Sequence, residues 1–212
     1  MINDHPIWAS MLAKYPELEP SMPDIKRALE VLKETYRLGG KTLLCGNGGS
    51  ASDSEHIVGE LMKGFMKKRS LPDDVRRIFL DRYPEEGGFL ADHLQGALPA
   101  ISLISQSALL TAYANDVSAE MIFAQQVYGY GKREDTLVGL STSGNSANVV
   151  RAMQVANVLG MRTIGLTGRD GGQMKEVCAV TIRVPWDTTP EIQERHLPIY
   201  HGLCMLLEEE FF

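Results

Sequence analysis

From Ser141 to Ser146 the chain reads STSGNS, four hydroxyls and a glycine in six residues. Such oxygens, set beside the unpaired amides that open a helix, form a cage suited to one phosphate group. The turn lacks the G-x-x-x-x-G-K-[ST] pattern and any lysine, so it is no triphosphate loop. An ordinary serine N-cap is the plain alternative. A second turn, Gly46-Asn47-Gly48-Gly49-Ser50-Ala51, matches the dinucleotide fingerprint in its G-x-G-x-x-A form. That reading needs an acidic residue about twenty positions on, at a strand end. Here the spacing falls on Met66-Lys67-Lys68-Arg69. A glycine-rich turn that lets a small anion approach the backbone fits better, with a ligand-free turn as the alternative.

Two further constellations could move protons or hold a metal. His56 and Glu60 stand at i and i+4, so a helix would place imidazole and carboxylate on one face. A solvated surface pair has the same spacing. Gln193, Glu194, Arg195 and His196 precede His201. Gln193 and His201 lie eight residues apart, a rise of roughly 12 Å on a straight helix, and Pro198 between them offers a cause for a bend. His196 falls off that face and is assigned to packing or surface.

The elements that must position these residues follow a repeated grammar. Pro23 to Leu38 has apolar residues at helical spacing and is stopped by Gly39-Gly40. A buried-strand run, Lys41 to Cys45, leads into the first glycine turn and a helix over about Ser52 to Met66. Pro99 to Ile104 and Thr136 to Leu140 read as strands, Ala147 to Leu159 as a helix, Met161 to Leu166 as a strand closed by Thr167 to Gly172. Val177 to Val184 is the last strand and Glu191 to Phe212 the last helix. Strand, polar turn, helix, strand predicts βαβ units in an α/β protein with a parallel sheet covered on both faces. Ligands of such sheets sit beyond the carboxyl ends of the strands, where the polar turns fall. Residues 70–98 are polar and punctuated by Pro and Gly, and read as a partly helical insertion serving as a lid or an oligomer contact.

Composition narrows the class. With 212 residues, 44% hydrophobic and 23% charged, the chain suits a single domain with additions. Its 21 basic and 27 acidic side chains give a net charge of −6, a poor footing for nucleic-acid binding. The apolar stretch 98–114 is broken by Ser102, Ser105, Gln106, Ser107 and Thr111 and falls short of a membrane span. The opening MINDHPIW lacks a basic then apolar leader pattern, and three scattered cysteines form no CxxC pair. A cytoplasmic, reducing location is expected.

CGNGGSASDSEH, the AND at 114–116, STSGNSANVVRAM, LTGRDGG and IQERH, in this order, resemble the sugar isomerase (SIS) family, within it the sedoheptulose-7-phosphate isomerases. The resemblance runs from about Pro23 onward apart from residues 70–98. It implies a flavodoxin-like αβα sandwich around a five-stranded parallel sheet. The chain 1–212 would be one SIS domain, with helices about 6–38 packing between subunits of a homotetramer. It also implies one zinc ion per subunit on His56, Glu60, Gln193 and His201. Sugar-phosphate contacts would come from Asn47, Gly48, Gly49, Glu60, Asn115, Asp116, Ser141, Thr142, Ser143, Ser146 and Gln193. The implied reaction is ketose–aldose isomerisation of sedoheptulose 7-phosphate through an enediol, with Glu60 as base and His201 as acid. Three departures bear on substrate fit: the longer segment 70–98, Gly64 where an arginine is expected, and Pro190 where an aspartate is expected. A non-catalytic SIS scaffold that binds the replication initiator is the alternative, against which Glu60 speaks because that branch lacks the carboxylate. An isomerase or sensor for another phosphosugar is the other alternative.

Overall fold

The computed structural model describes residues 5–212. The expectation that no leader opens the chain rests partly on residues 1–4, outside that range. Five parallel strands form one sheet: β1 (Thr42–Gly46), β2 (Ala100–Ser102), β3 (Thr136–Leu140), β4 (Arg162–Thr167) and β5 (Val180–Arg183), in the order β2-β1-β3-β4-β5. The α/β sandwich expected from the sequence is therefore present. β1 lies at the centre of the reversal of strand order, paired Thr42 to Ala100 on one side and Thr42 to Thr136 on the other.

Two apolar clusters cover the two faces, and the strand period of two assigns side chains to them. Leu44, Val138, Leu140 and Ile164 join α1 (Pro6–Lys14), α2 (Met22–Arg37), α3 (Gly49–Met62) and the long α10 (Thr189–Phe211). Leu43, Cys45 and Leu137 face the opposite cluster with Phe123, Val149 and Met153. These come from α7 (Ile122–Tyr130) and α8 (Ala147–Val158), with the short α9 (Met174–Val177) beside them. Trp8, 1% exposed, is seated against Gly202, where any Cβ would strike its ring, so α1 is fastened onto α10.

Several boundaries differ from expectation. α3 starts at Gly49 rather than Ser52, because Gly48 takes φ 56°, a left-handed turn open to glycine that lets the helix begin directly after the strand. It stops at Met62 rather than Met66: Lys63 is extended, and a Cβ at Gly64 would meet the Lys67 carbonyl. Residues 177–179, expected as strand, hold the end of α9 and a link to β5. Segment 70–98 contains α4 (Asp73–Arg82) and α5 (Gly87–His93), packed on each other where Gly87 leaves room for the Phe79 carbonyl. α6 (Ser107–Tyr113), the π turn 114–118 and α7 had no signature in the polar-apolar pattern. α10 runs unbroken across Pro198. No helix among the described residues is long and apolar enough to cross a membrane.

Candidate active site

The register pairs Gly46 at the end of β1 with Leu140 at the end of β3, so the two polar turns leave adjacent strands side by side. This is the point where strand order reverses, the crevice that open parallel sheets use for ligands. Neither α3 nor α8 carries a side-chain cap at its N-terminus. Ser146, the residue placed to cap α8, instead shares a 2.9 Å hydrogen bond with the Ser141 hydroxyl. Ser146 thus holds the N-cap position without its hydroxyl bonding the first helical amides, and the positive end of α8 faces the crevice. Gly144, with φ 66°, brings its turn against the Gly171 backbone with no space for a Cβ. Thr142 lies 3.5 Å from the Thr189 hydroxyl at the start of α10. Reciprocal amide hydrogen bonds of 2.9 Å join Asn47 to Asn148 and tie the two turns into one cradle.

A second group stands two turns farther along α3. His56 Nε2 is 3.1 Å from Glu60 Oε1 and 3.5 Å from His201 Nε2. Phe65 lies against the His201 ring, centroids 5.3 Å apart. Burial, followed by the charge of His56, holds the His201 pKa below its usual value, which favours the neutral ring. Lys63 Nζ reaches to 3.5 Å from Glu60 Oε2, so the two carboxylate oxygens face different partners. A groove of about 380 Å³ between α1 and α10, lined by Ile7, Met11, Tyr15, Leu197 and Met205, opens onto His201.

Beneath the imidazoles lies a network that pattern reading did not identify. The Tyr200 hydroxyl is 3.1 Å from both Asp53 Oδ1 and His56 Nδ1. Burial raises the Asp53 pKa, opposed by the Tyr200 hydrogen bond. Behind α3, Arg69 is buried with Glu208: Arg69 Nε donates to Glu208 at 2.8 Å, and its terminal nitrogens donate to the carbonyls of Leu61 and Glu60 at 2.7 and 2.9 Å. Glu208 also accepts from the amides of Phe65 and Met66, both at 2.8 Å. These amides and Arg69 hold its pKa down against burial. The clamp thus caps the end of α3 beside Glu60. Only the i−3 spacing of Asp53 and the adjacency of Tyr200 to His201 hinted at the first network in the sequence.

The candidates are not all drawn together. Gln193 is seated over Gly49, where a Cβ would come within 2.5 Å of its Nε2. Gly49–Gln193 and His56–His201 are successive contacts of two helices running side by side, so Gln193 sits about 10 Å of helical rise from the imidazoles, with the first turn. Asn115 and Asp116 are exposed on the π turn and hydrogen-bond each other at 2.8 Å. His196 is buried and reaches the Thr167 carbonyl at 3.3 Å.

The SIS domain model matches residues 78–168, which begins inside the segment read as an insertion. Phosphoheptose isomerase of Helicobacter pylori is 41% identical over 194 residues, 92% of this chain and 88% of that protein. The enzyme of the same name from Aliarcobacter butzleri is 37% identical, covering 91% and 88%. The chain belongs to the phosphoheptose isomerase family. Solved structures of phosphoheptose isomerases agree: that from Neisseria gonorrhoeae superposes with TM-score 0.74 at 32% identity over 95% of both chains. That from Francisella tularensis gives 0.76 at 30%, over 95% and 93%. Within this family framework, the crevice cradle and the His56–Glu60–His201 cluster stand on one helix, α3, and its neighbour α10.

A tetrahedral zinc with bonds of 2.0–2.1 Å separates its donors by about 3.4 Å. The His56–Glu60 and His56–His201 spacings of 3.1 and 3.5 Å bracket that value. Among the described residues no group of three or more His, Cys, Asp or Glu side chains is arranged to hold a metal ion. In donor type the three side chains suit the ion, and the two His56 spacings match it.

Proposed function

We propose that this phosphosugar isomerase interconverts sedoheptulose 7-phosphate and the corresponding heptose 7-phosphate aldose. The observation that carries the reading is α3: its N-terminus forms the anion cradle and, about 10 Å farther along its axis, it presents His56 and then Glu60. The phosphate rests on Gly48, Gly49, Ser141, Thr142, Ser143 and Ser146, with Asn47 and Gln193 on the sugar beside it and Asn115 and Asp116 closing over it. The far end of the carbon chain reaches the imidazoles.

Glu60 removes a proton from C1 of the ketose and, as a carboxylic acid whose proton exchanges with solvent, delivers one to C2. His201, whose burial favours the neutral ring, gives its hydrogen to O2 as C1 loses its proton and then recovers one from O1, so protons balance. Oε1 of Glu60 faces His56 while Oε2 faces Lys63, which separates a ligand-facing oxygen from a reacting one. His56, Glu60 and His201 are the residues that would hold zinc, which when bound would supply positive charge to stabilise an enediolate. Gln193, set over Gly49, goes with the substrate in this reading. A homotetramer in the cytoplasm completes the proposal. It is supported by exposed apolar side chains such as Met66, Ile78 and Phe89 and by three unpaired cysteines.

The test is conversion of sedoheptulose 7-phosphate by purified protein, metal-stripped and zinc-restored. Aldose formation that zinc restores is the expected result. No conversion by protein that binds zinc would overturn the substrate, and undiminished conversion by stripped protein would overturn the metal.

A further inference from the structure

The Tyr200 hydroxyl has one proton and two claimants at equal distance, Asp53 Oδ1 and His56 Nδ1, each 3.1 Å away. A carboxylate is the stronger acceptor of an O–H. Tyr200 is 2% exposed and Asp53 half-buried, so leaving the carboxylate without its donor carries a desolvation cost. With the proton on Asp53, the Tyr200 oxygen can only accept from His56, which requires the hydrogen of that ring to sit on Nδ1. The Tyr200 and His56 rings cross edge to face at 75°, with centroids 5.5 Å apart, which confines the imidazole to this orientation.

We infer that Asp53 and Tyr200 are positioning residues that fix neutral His56 as the Nδ1–H tautomer, turning the Nε2 lone pair toward Glu60 Oε1 and His201 Nε2. Two acceptors then face each other across the 3.1 Å between His56 and Glu60, an arrangement that a cation relieves. Without Tyr200 and Asp53, the opposite tautomer would place a hydrogen on Nε2, donate it to Glu60 and block the lone pair. The inference rests on the zinc reading for its purpose, but not for its measurement.

The experiment is long-range ¹H–¹⁵N correlation of the histidine rings in zinc-free full-length protein. It is run near pH 9, well above the usual histidine pKa of about 6.5. His56→Gln assigns the signal. The expected wild-type ring is protonated at Nδ1. Tyr200→Phe and, as an independent variant at the half-buried end, Asp53→Ala should each move the proton to Nε2. In titrations with zinc alone, both should raise Kd by about 10–100-fold. An Nε2–H wild-type ring, or variants that leave tautomer and zinc affinity unchanged, would overturn the assignment. An Nδ1–H ring in wild-type protein that fails to bind zinc would support the assignment while removing the zinc reading.

Discussion

In the cradle at the starts of α3 and α8 the groups facing the crevice are backbone amides and short hydroxyls, several of them held by partners nearby in the chain. Ser141 and Ser146 are five residues apart, and Gly48 needs only its own positive φ. Two turns farther on, His56 and Glu60 face a cluster whose supports come from the far end of the chain. Tyr200 is separated from His56 by 144 residues, Glu208 from Arg69 by 139. The amides and hydroxyls of the cradle come from local turn geometry, while Asn47–Asn148, Thr142–Thr189 and Gln193 over Gly49 join that geometry to distant segments. The seam between α3 and α10 exists only once the domain has closed. In the proposed function, phosphate binding at the start of α3 and proton transfer farther along it rest on supports of different structural origin.

Damage to the seam should reach the whole domain. Arg69→Ala leaves Glu208 buried without its partner and uncaps the end of α3; the two side chains are 0% and 1% exposed. A loss of about 3–5 kcal/mol is expected in urea unfolding. A loss below about 1 kcal/mol would mean that the clamp is ornamental.

The foot of α10 makes the next prediction. His196 is wholly buried, its Nε2–H donating to Thr167 and its Nδ1 unpaired, and burial holds its pKa down to about 4. The unfolded chain binds the proton more readily, at about 6.5, so this contribution to stability is complete above that pH and is lost as pH falls toward 4. The window amounts to about 3 kcal/mol. Urea midpoints for wild type and His196→Phe should diverge in slope across it, wild type falling more steeply. Parallel slopes would show that the ring does not titrate in this way.

On the cradle side the effects should be smaller and confined to binding. Ser146→Ala removes one hydroxyl and is expected to raise KM several-fold, roughly 1 kcal/mol, with kcat within about twofold. A collapse of kcat would erase the division between the two regions.

The same division explains what the sequence disclosed. Thr136–Leu140 and Ala147 onward were legible because a five-residue buried run, a polar turn and helical periodicity are local signals. His56 and Glu60 were legible because i, i+4 is itself a local geometry. Tyr200 reads as one more apolar residue of α10, Arg69 as part of a basic run, and Glu208 as part of an acidic terminus. Nothing local reveals that the last two meet in the interior. Asn148, in the first turn of α8, gives no hint that it bonds Asn47. Residues 107–130 mix small, polar and apolar side chains without a clean period, and packing of Phe123 and Val127 with Leu137, Val149 and Met153 decides for helix. The placement of Gln193 over Gly49 depends on how two helices lie side by side, which no spacing within one of them fixes.

In the proposed mechanism Glu60 takes a proton from one carbon of a phosphosugar held by the cradle and delivers a solvent-exchanged one to the next. Running the isomerisation of sedoheptulose 7-phosphate in D₂O tests it directly, with wild type beside Glu60→Gln. Deuterium on C2 of the aldose is expected from wild type, and turnover lower by about 10²–10⁴-fold from Glu60→Gln with its unfolding curve unchanged. Product without C2 deuterium, or near-normal turnover by Glu60→Gln, would contradict the account.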